Sequence, residues 1–163
     1  MSSEAAGTST IYTPSAVLAP LFFREGQPHL LFTQRTFEVE HYKGHISFPG
    51  GARYPEDPTL LVTALRETEE EVGLKPEAVD VLGELDSLIS ISGGYIIAPF
   101  VGVVPHPYPY RPSPIEVAEL IEVPLSHLMD KRFHWEERRP DGRMGDFFNY
   151  YGKVVWGSTG RIV

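Results

Sequence analysis

One segment of this chain carries the period of a well-formed helix, while most of what surrounds it reads as strand and turn. Thr59 to Val72 (TLLVTALRETEEEV) follows the turn-forming Pro55-Glu56-Asp57-Pro58, which puts Asp57 or Pro58 at a helix start, and Gly73 closes it in the C′ role. At roughly 100° per residue, Leu61, Leu65, Thr68 and Val72 form one stripe, assigned to the core. Apolar runs at Ala16 to Phe23 and Leu30 to Thr33, separated by Glu25-Gly26-Gln27-Pro28, read as a hairpin. Strand character returns at His45 to Phe48 and is broken by Pro49-Gly50-Gly51; Val79 to Ile91 and Gly94 to Val104 read as long strands meeting at Ser92-Gly93-Gly94. Beyond them, Glu116 to Val123 alternates as a strand and Ser126 to Asp130 reads as a short helix. Arg132 to Tyr151 reads as two more strands about Pro140-Asp141-Gly142. Strands dominate, around one strong central helix.

The chain has 163 residues, 42% of them hydrophobic, and shows neither an internal repeat nor a dividing linker, so one domain over residues 11–163 is expected. Residues 1–10, MSSEAAGTST, carry no Lys or Arg ahead of the first apolar run and read as a disordered polar tail, not a secretion signal. The longest apolar run, Tyr95 to Pro105, is too short for a membrane-spanning helix, so no membrane association is expected. No cysteine is present, which excludes disulfides, thiolate metal sites and cysteine nucleophiles and agrees with a reducing, cytoplasmic location. A net charge of −8 without a Lys/Arg cluster disfavours nucleic acid as a partner. A small phosphorylated ligand is compatible with that charge if a metal cation bridges the two negative partners.

The helix itself supplies candidate ligands. Glu67, Glu70 and Glu71 recur at i, i+3 and i+4 and share a stripe beside the apolar one, whereas Glu69 points away from both. Such like-charge neighbours cost roughly 0.2–0.5 kcal/mol per pair, and the negative end of the helix dipole adds to the repulsion. A hard divalent ion such as Mg²⁺ or Mn²⁺ relieves it and keeps waters to exchange for substrate phosphates. Gly50 and Gly51, without side chains, allow the backbone to approach a metal or a pyrophosphate closely. Spacing alone is equally compatible with a solvated acidic helix face.

Arg66-Glu67-Thr68-Glu69-Glu70-Glu71-Val72-Gly73-Leu74 resembles the second half of the Nudix box, G-x5-E-x7-R-E-U-x-E-E-x-G-U with U apolar. In the first half Gly51 is followed after five residues by Asp57, and eight residues separate Asp57 from Arg66, a loop one residue longer. Glu56 and Asp57 are both available for the first carboxylate position. Leu31-Phe32-Thr33-Gln34-Arg35-Thr36 through Gly44 and Phe48-Pro49-Gly50-Gly51 resembles the additional motif of the coenzyme A pyrophosphatase subgroup, with Glu40 standing where that motif has a second arginine and Lys43 or His41 nearby to compensate. Val154 to Thr159 resembles the start of the family's last helix.

This resemblance implies an α/β fold, an α/β/α sandwich around a mixed β-sheet with a loop-helix-loop Nudix box. It implies Mg²⁺- or Mn²⁺-dependent cleavage of a nucleoside diphosphate derivative, a small-molecule partner, and a homodimer by family habit. Glu67, Glu70 and Glu71 would be the metal ligands, with the Gly51 carbonyl a further one; Arg66 would orient a glutamate. Arg35, Phe48 and Gly50 would meet the substrate. A box glutamate or Glu116, where a loop enters a strand, would be the general base, the alternative for Glu116 being an ordinary salt-bridged acid. The His106 to Pro112 loop, rich in Tyr and Pro, either stacks a base or forms a stiff connection. Coenzyme A or a derivative is the expected substrate, with ADP-ribose, NADH or a nucleoside triphosphate as the alternative. A non-catalytic ligand sensor and a purely structural acidic domain are the readings from other classes.

Overall fold

A computed structural model describes residues 11–39, 43–90 and 93–163. The expected polar tail at 1–10, Glu40 and His41 of the second motif, and Ile91 and Ser92 of the expected hairpin lie outside the described residues.

The first hairpin joins β1 (Thr13–Arg24) to β2 (Gln27–Arg35). Its two-residue turn holds Glu25 and Gly26 at φ 50° and 76°, the left-handed pair that matches the twist of antiparallel strands. On its other edge β1 runs parallel to β7 (Tyr95–Val103), from Thr13 opposite Tyr95 to Leu21 opposite Val103, so the sheet is mixed. The first edge of β1 is shared: its end pairs β2, whereas Ser15 to Val17 pair the short β4 (Gly50–Ala52). β3 (Ile46–Ser47) and β8 (Val117–Pro124) add to β2, and β5 (Asp80–Glu84) and β6 (Leu88–Ser90) add to β7.

Alternation along β1 defines the layers. Ala16, Leu18 and Phe22 are buried with Leu31, Ala98 and Phe100 beneath the helix α1 (Leu60–Val72), which contributes Ala64 and Val72 to the same cluster. Ala19 belongs to a second cluster with Phe32, Phe48, Ile121 and Val123. That face is covered by α2 (Leu125–Leu128) and by elements of the C-terminal segment, whose Phe148 and Val155 complete the cluster. The C-terminal segment comprises a separate antiparallel sheet of β9 (His134–Arg138), β10 (Met144–Tyr150) and β11 (Lys153–Val155), followed by α3 (Gly157–Ile162). A mixed sheet between helical layers is the architecture expected.

Three details differ from the sequence reading. Gly50-Gly51 is not simply a break but forms β4, because a Cβ at Gly50 would stand 2.3 Å from the Ala16 carbonyl and only glycine permits the strands to meet there. The expected strand Val79 to Ile91 is two strands, β5 and β6, paired successively along β7. The helix start is Thr59, whose hydroxyl accepts from Val62 N at 3.2 Å, because Asp57 is engaged elsewhere.

Candidate active site

The loop before α1 is organised by Asp57. Its carboxylate, 4% exposed, accepts from Tyr54 N at 2.9 Å and from Thr63 Oγ1 at 2.9 Å, closing the turn onto the first helical turn. Arg66, nine residues on, meets the same carboxylate with Nε at 3.0 Å and Nη2 at 2.9 Å, a bidentate pair. This geometry gives Asp57 the first carboxylate position; Glu56 is exposed. Hydrogen bonds from Arg66 and Tyr54 N hold the Asp57 carboxyl far below the usual carboxylate range, and the Arg66 guanidinium is pushed correspondingly up. Arg66 also lies 3.9 Å above the Tyr54 ring and donates from Nη1 to Glu67 Oε1 at 3.0 Å.

Glu67, Glu70 and Glu71 do not share one solvent stripe. Glu71 is 6% exposed and turns inward on the buried face with Ala64, Thr68 and Val72. Leu61 and Leu65, expected in that stripe, are only partly buried against it. Glu70 is about half exposed, at 51%, and pairs with Arg66 Nη1 at 3.2 Å. Gly50 N donates to Glu71 Oε2 at 3.3 Å, and a Cβ on Gly51 would stand 2.6 Å from Glu67 Cδ. The bare Gly51 thus lets the β4 backbone lie directly against Glu67, and the Gly50 N–H reaches Glu71. Burial pushes the Glu71 carboxyl up to about 8, and the neighbouring Glu67 adds to this; Arg35 opposes it and Glu116 reinforces it. Burial likewise raises Glu67, against the pull of Arg66.

A pocket of about 380 Å³ opens where β1 divides its edge between β2 and β4. Glu67, Glu71, Glu116, Arg35, Phe48, Gly50 and Gly51 all line it. Phe48 does so while stacked on Phe32 at 4.6 Å in the core. Glu70 and Arg66 are not on its wall; Arg66 stands behind Glu67. The loop 106–112 is not on the wall either. Arg111 N and Ser113 N donate, each at 2.7 Å, to the Val72 and Glu71 carbonyls, and Tyr108 Oη accepts from Lys75 N at 3.1 Å, so this loop caps the C-terminus of α1.

Among the described residues no three carboxylate or imidazole groups already stand as a ready-made metal cluster. The donor chemistry nonetheless fits a hard cation. Glu71 is buried and Glu67 partly so, both with raised proton affinity, Glu116 reinforces the shift of each, and the Gly51 backbone lies against the Glu67 carboxylate. Sequence reasoning missed Arg139 and Trp156, which also line the pocket. Arg139 lies in no motif and Trp156 only in the Val154 to Thr159 stretch, which carries no site assignment; each flanks a strand of the small sheet, whose packing brings it there.

Residues 12–140 match the NUDIX domain family. The chain belongs to this family and is a Nudix hydrolase, of the enzyme class that uses divalent cations to cleave nucleoside diphosphate derivatives. Among curated relatives, the uncharacterized Nudix hydrolase NudL of Photorhabdus laumondii is 38% identical over 152 residues, covering 91% of this chain and 80% of its own. The protein of the same name from Escherichia coli O1:K1 / APEC is 40% identical, covering 91% and 78%. Solved structures share the fold. RenU, a Nudix hydrolase from M. smegmatis, superposes with a TM-score of 0.60 at 24% identity over 73% of this chain and 74% of its own. The NUDIX domain of Shewanella oneidensis NrtR, solved with ADP ribose, gives 0.57 at 17% identity over 72% and 76%. Among the described residues no helix is long and apolar enough to cross a membrane.

Proposed function

We propose that this enzyme hydrolyses the diphosphate bond of coenzyme A or its derivatives, giving adenosine 3′,5′-bisphosphate and a 4′-phosphopantetheine product. The observation that carries the reading is the convergence in one pocket of Glu67, Glu71 and Glu116 with Arg35 and the Phe48-Pro49-Gly50-Gly51 tract, the pieces of both motifs. Glu67, Glu71 and the Gly51 carbonyl would hold Mg²⁺ or Mn²⁺ from the pocket wall, and Glu70, which lies off that wall against Arg66, would join them only by leaving that pair. When bound, the cation lowers the pKa of water and neutralises charge on the diphosphate. Arg66 positions Glu67 through its 3.0 Å hydrogen bond, itself anchored by Asp57. Arg35 takes a phosphoryl oxygen, and Gly50 borders the diphosphate on the pocket wall.

Water oxygen forms a new bond to phosphorus and the bridging P–O bond breaks. The leaving phosphate takes the electron pair, and the proton of water passes to a carboxylate, for which Glu116 and Glu67 are the candidates. A second substrate class, other nucleoside diphosphate derivatives, is favoured by Glu40 in place of the motif's arginine. Assaying coenzyme A, ADP-ribose, NADH and nucleoside triphosphates with Mg²⁺ and with Mn²⁺ separates the two. Release of adenosine 3′,5′-bisphosphate is expected; cleavage of the others with coenzyme A untouched would overturn the reading.

A further inference from the structure

Arg139 follows β9 at the tip of the β9–β10 hairpin, where its backbone N donates to the Arg143 carbonyl at 2.7 Å. Its stem lies across Gly145, where a Cβ would stand 2.8 Å from Arg139 Cδ, so the bare α-carbon there fixes the course of the side chain. The guanidinium carbon lies 5.9 Å from the Trp156 ring centre, and Nη2 is 3.8 Å from Asp141 Oδ2, too long for a hydrogen bond. Nε is shielded from solvent and has no hydrogen-bond partner, and among the described residues it is the one buried side-chain nitrogen or oxygen in that condition. Leaving such a donor unsatisfied is costly, the more so for a charged group, and a guanidinium does not escape by losing its proton. The residue lines the pocket that holds Glu67, Glu71 and Glu116.

Charge indicates what completes it. Arg35, at the end of β2, lines the pocket with Glu67 and Glu71 and is the cation assigned to the diphosphate. Arg139 belongs to a different layer of the molecule, beside Trp156, which meets the His45 ring at 5.1 Å on the same wall. A planar fork beside aromatic surface suits a phosphate monoester carried on the nucleoside part of a substrate. We infer that Arg139 is a specificity-determining residue that binds such a monoester, apart from the diphosphate being cleaved. This rests on the proposed function and deepens it, since coenzyme A carries a 3′-phosphate.

Binding and turnover together test the inference. Wild type, R139Q and R139K are titrated calorimetrically with adenosine 3′,5′-bisphosphate and with AMP, and coenzyme A is compared with dephospho-coenzyme A as substrate. Wild type should bind the bisphosphate roughly ten- to a hundredfold more tightly than AMP. R139Q should erase that preference with AMP affinity kept within about twofold, and should raise KM for coenzyme A alone with kcat retained, while R139K keeps part of the preference. Equal binding of the two nucleotides by wild type overturns the inference, as does a preference that survives in R139Q or an equal loss for both nucleotides. If R139Q does not fold, the R139K titration decides: a preference undiminished there overturns it. Coenzyme A left uncleaved by a wild type that still prefers the bisphosphate would sink the proposed substrate and leave Arg139 in its role.

Discussion

Glu71→Gln should stabilise the cation-free protein at alkaline pH, although it removes a residue placed at the centre of the chemistry. Glutamine keeps the volume and an oxygen to accept from Gly50 N, as Glu71 does at 3.3 Å. What it removes is the cost of ionising a carboxyl that is 6% exposed and raised from 4.5 to about 8. Between those values the folded protein holds a proton that the unfolded chain has released, so stability of the cation-free enzyme falls as pH rises through the window. The contribution is full below 4.5 and gone above about 8. At about 1.4 kcal/mol per tenfold change in proton affinity, the penalty has an upper bound of about 5 kcal/mol. A chain of this size shifts about 2–4 °C per kcal/mol, so Tm of E71Q in EDTA at pH 8.5 should exceed that of wild type by about 5–15 °C. The gap should close to within a degree or two near pH 5. Saturating Mn²⁺ should raise Tm of wild type by about 5–10 °C, taking about 2.7 kcal/mol at a hundred times Kd, and should raise E71Q far less. Scanning calorimetry over this pH range reads all three. A lower Tm for E71Q at pH 8.5, or a gap of equal size at pH 5, would refute the account of Glu71 as an electrostatically strained cation ligand.

Asp57→Ala removes the bidentate partner of a partly buried Arg66, and urea denaturation should show a loss of about 3 kcal/mol. For the wild type, the depressed Asp57 carboxyl contributes stability above its ordinary value of 3.8 that is lost as pH falls below it, so D57A should be the less acid-sensitive form. Gly51→Ala pushes a methyl into the Glu67 carboxylate, 2.6 Å from its Cδ, and should cut kcat at least tenfold with a change in Tm of only a few degrees. Turnover by Glu116→Gln should fall about a hundredfold if this residue takes the proton from water; near-normal activity would end its candidacy and leave Glu67.

The helix with its glutamates was legible because its signals are local: apolar spacing over four turns, a turn before it and Gly73 after it. Its capping residue was not, since Asp57 and Thr59 compete for that position and the choice is made by Arg66, which claims Asp57 from nine residues away. The inward turn of Glu71 escaped the helical wheel because Glu71 lies next to Val72, and the seat of α1 against β1 and β4 decides which of two adjacent stripes is covered. β4 was unreadable for a related reason: glycines have no strand preference of their own, and the pairing follows from the close approach of Ala16. Arg139 and Trp156 follow β9 and β11, of which only the first was legible as a strand, and nothing in the local pattern says which cleft the small sheet borders.

The loop that caps the last turn of α1 leads within a few residues to Glu116. Ser113 N holds the Glu71 carbonyl, and the Ser113 carbonyl receives Glu116 N at 3.2 Å, so acids distant in the chain hang from one short bracket. Little slack is left between them. A cation entering the cleft therefore has carboxylate side chains to draw together but no loop to order, so the cost of assembling its site falls on rotamers and spares the backbone.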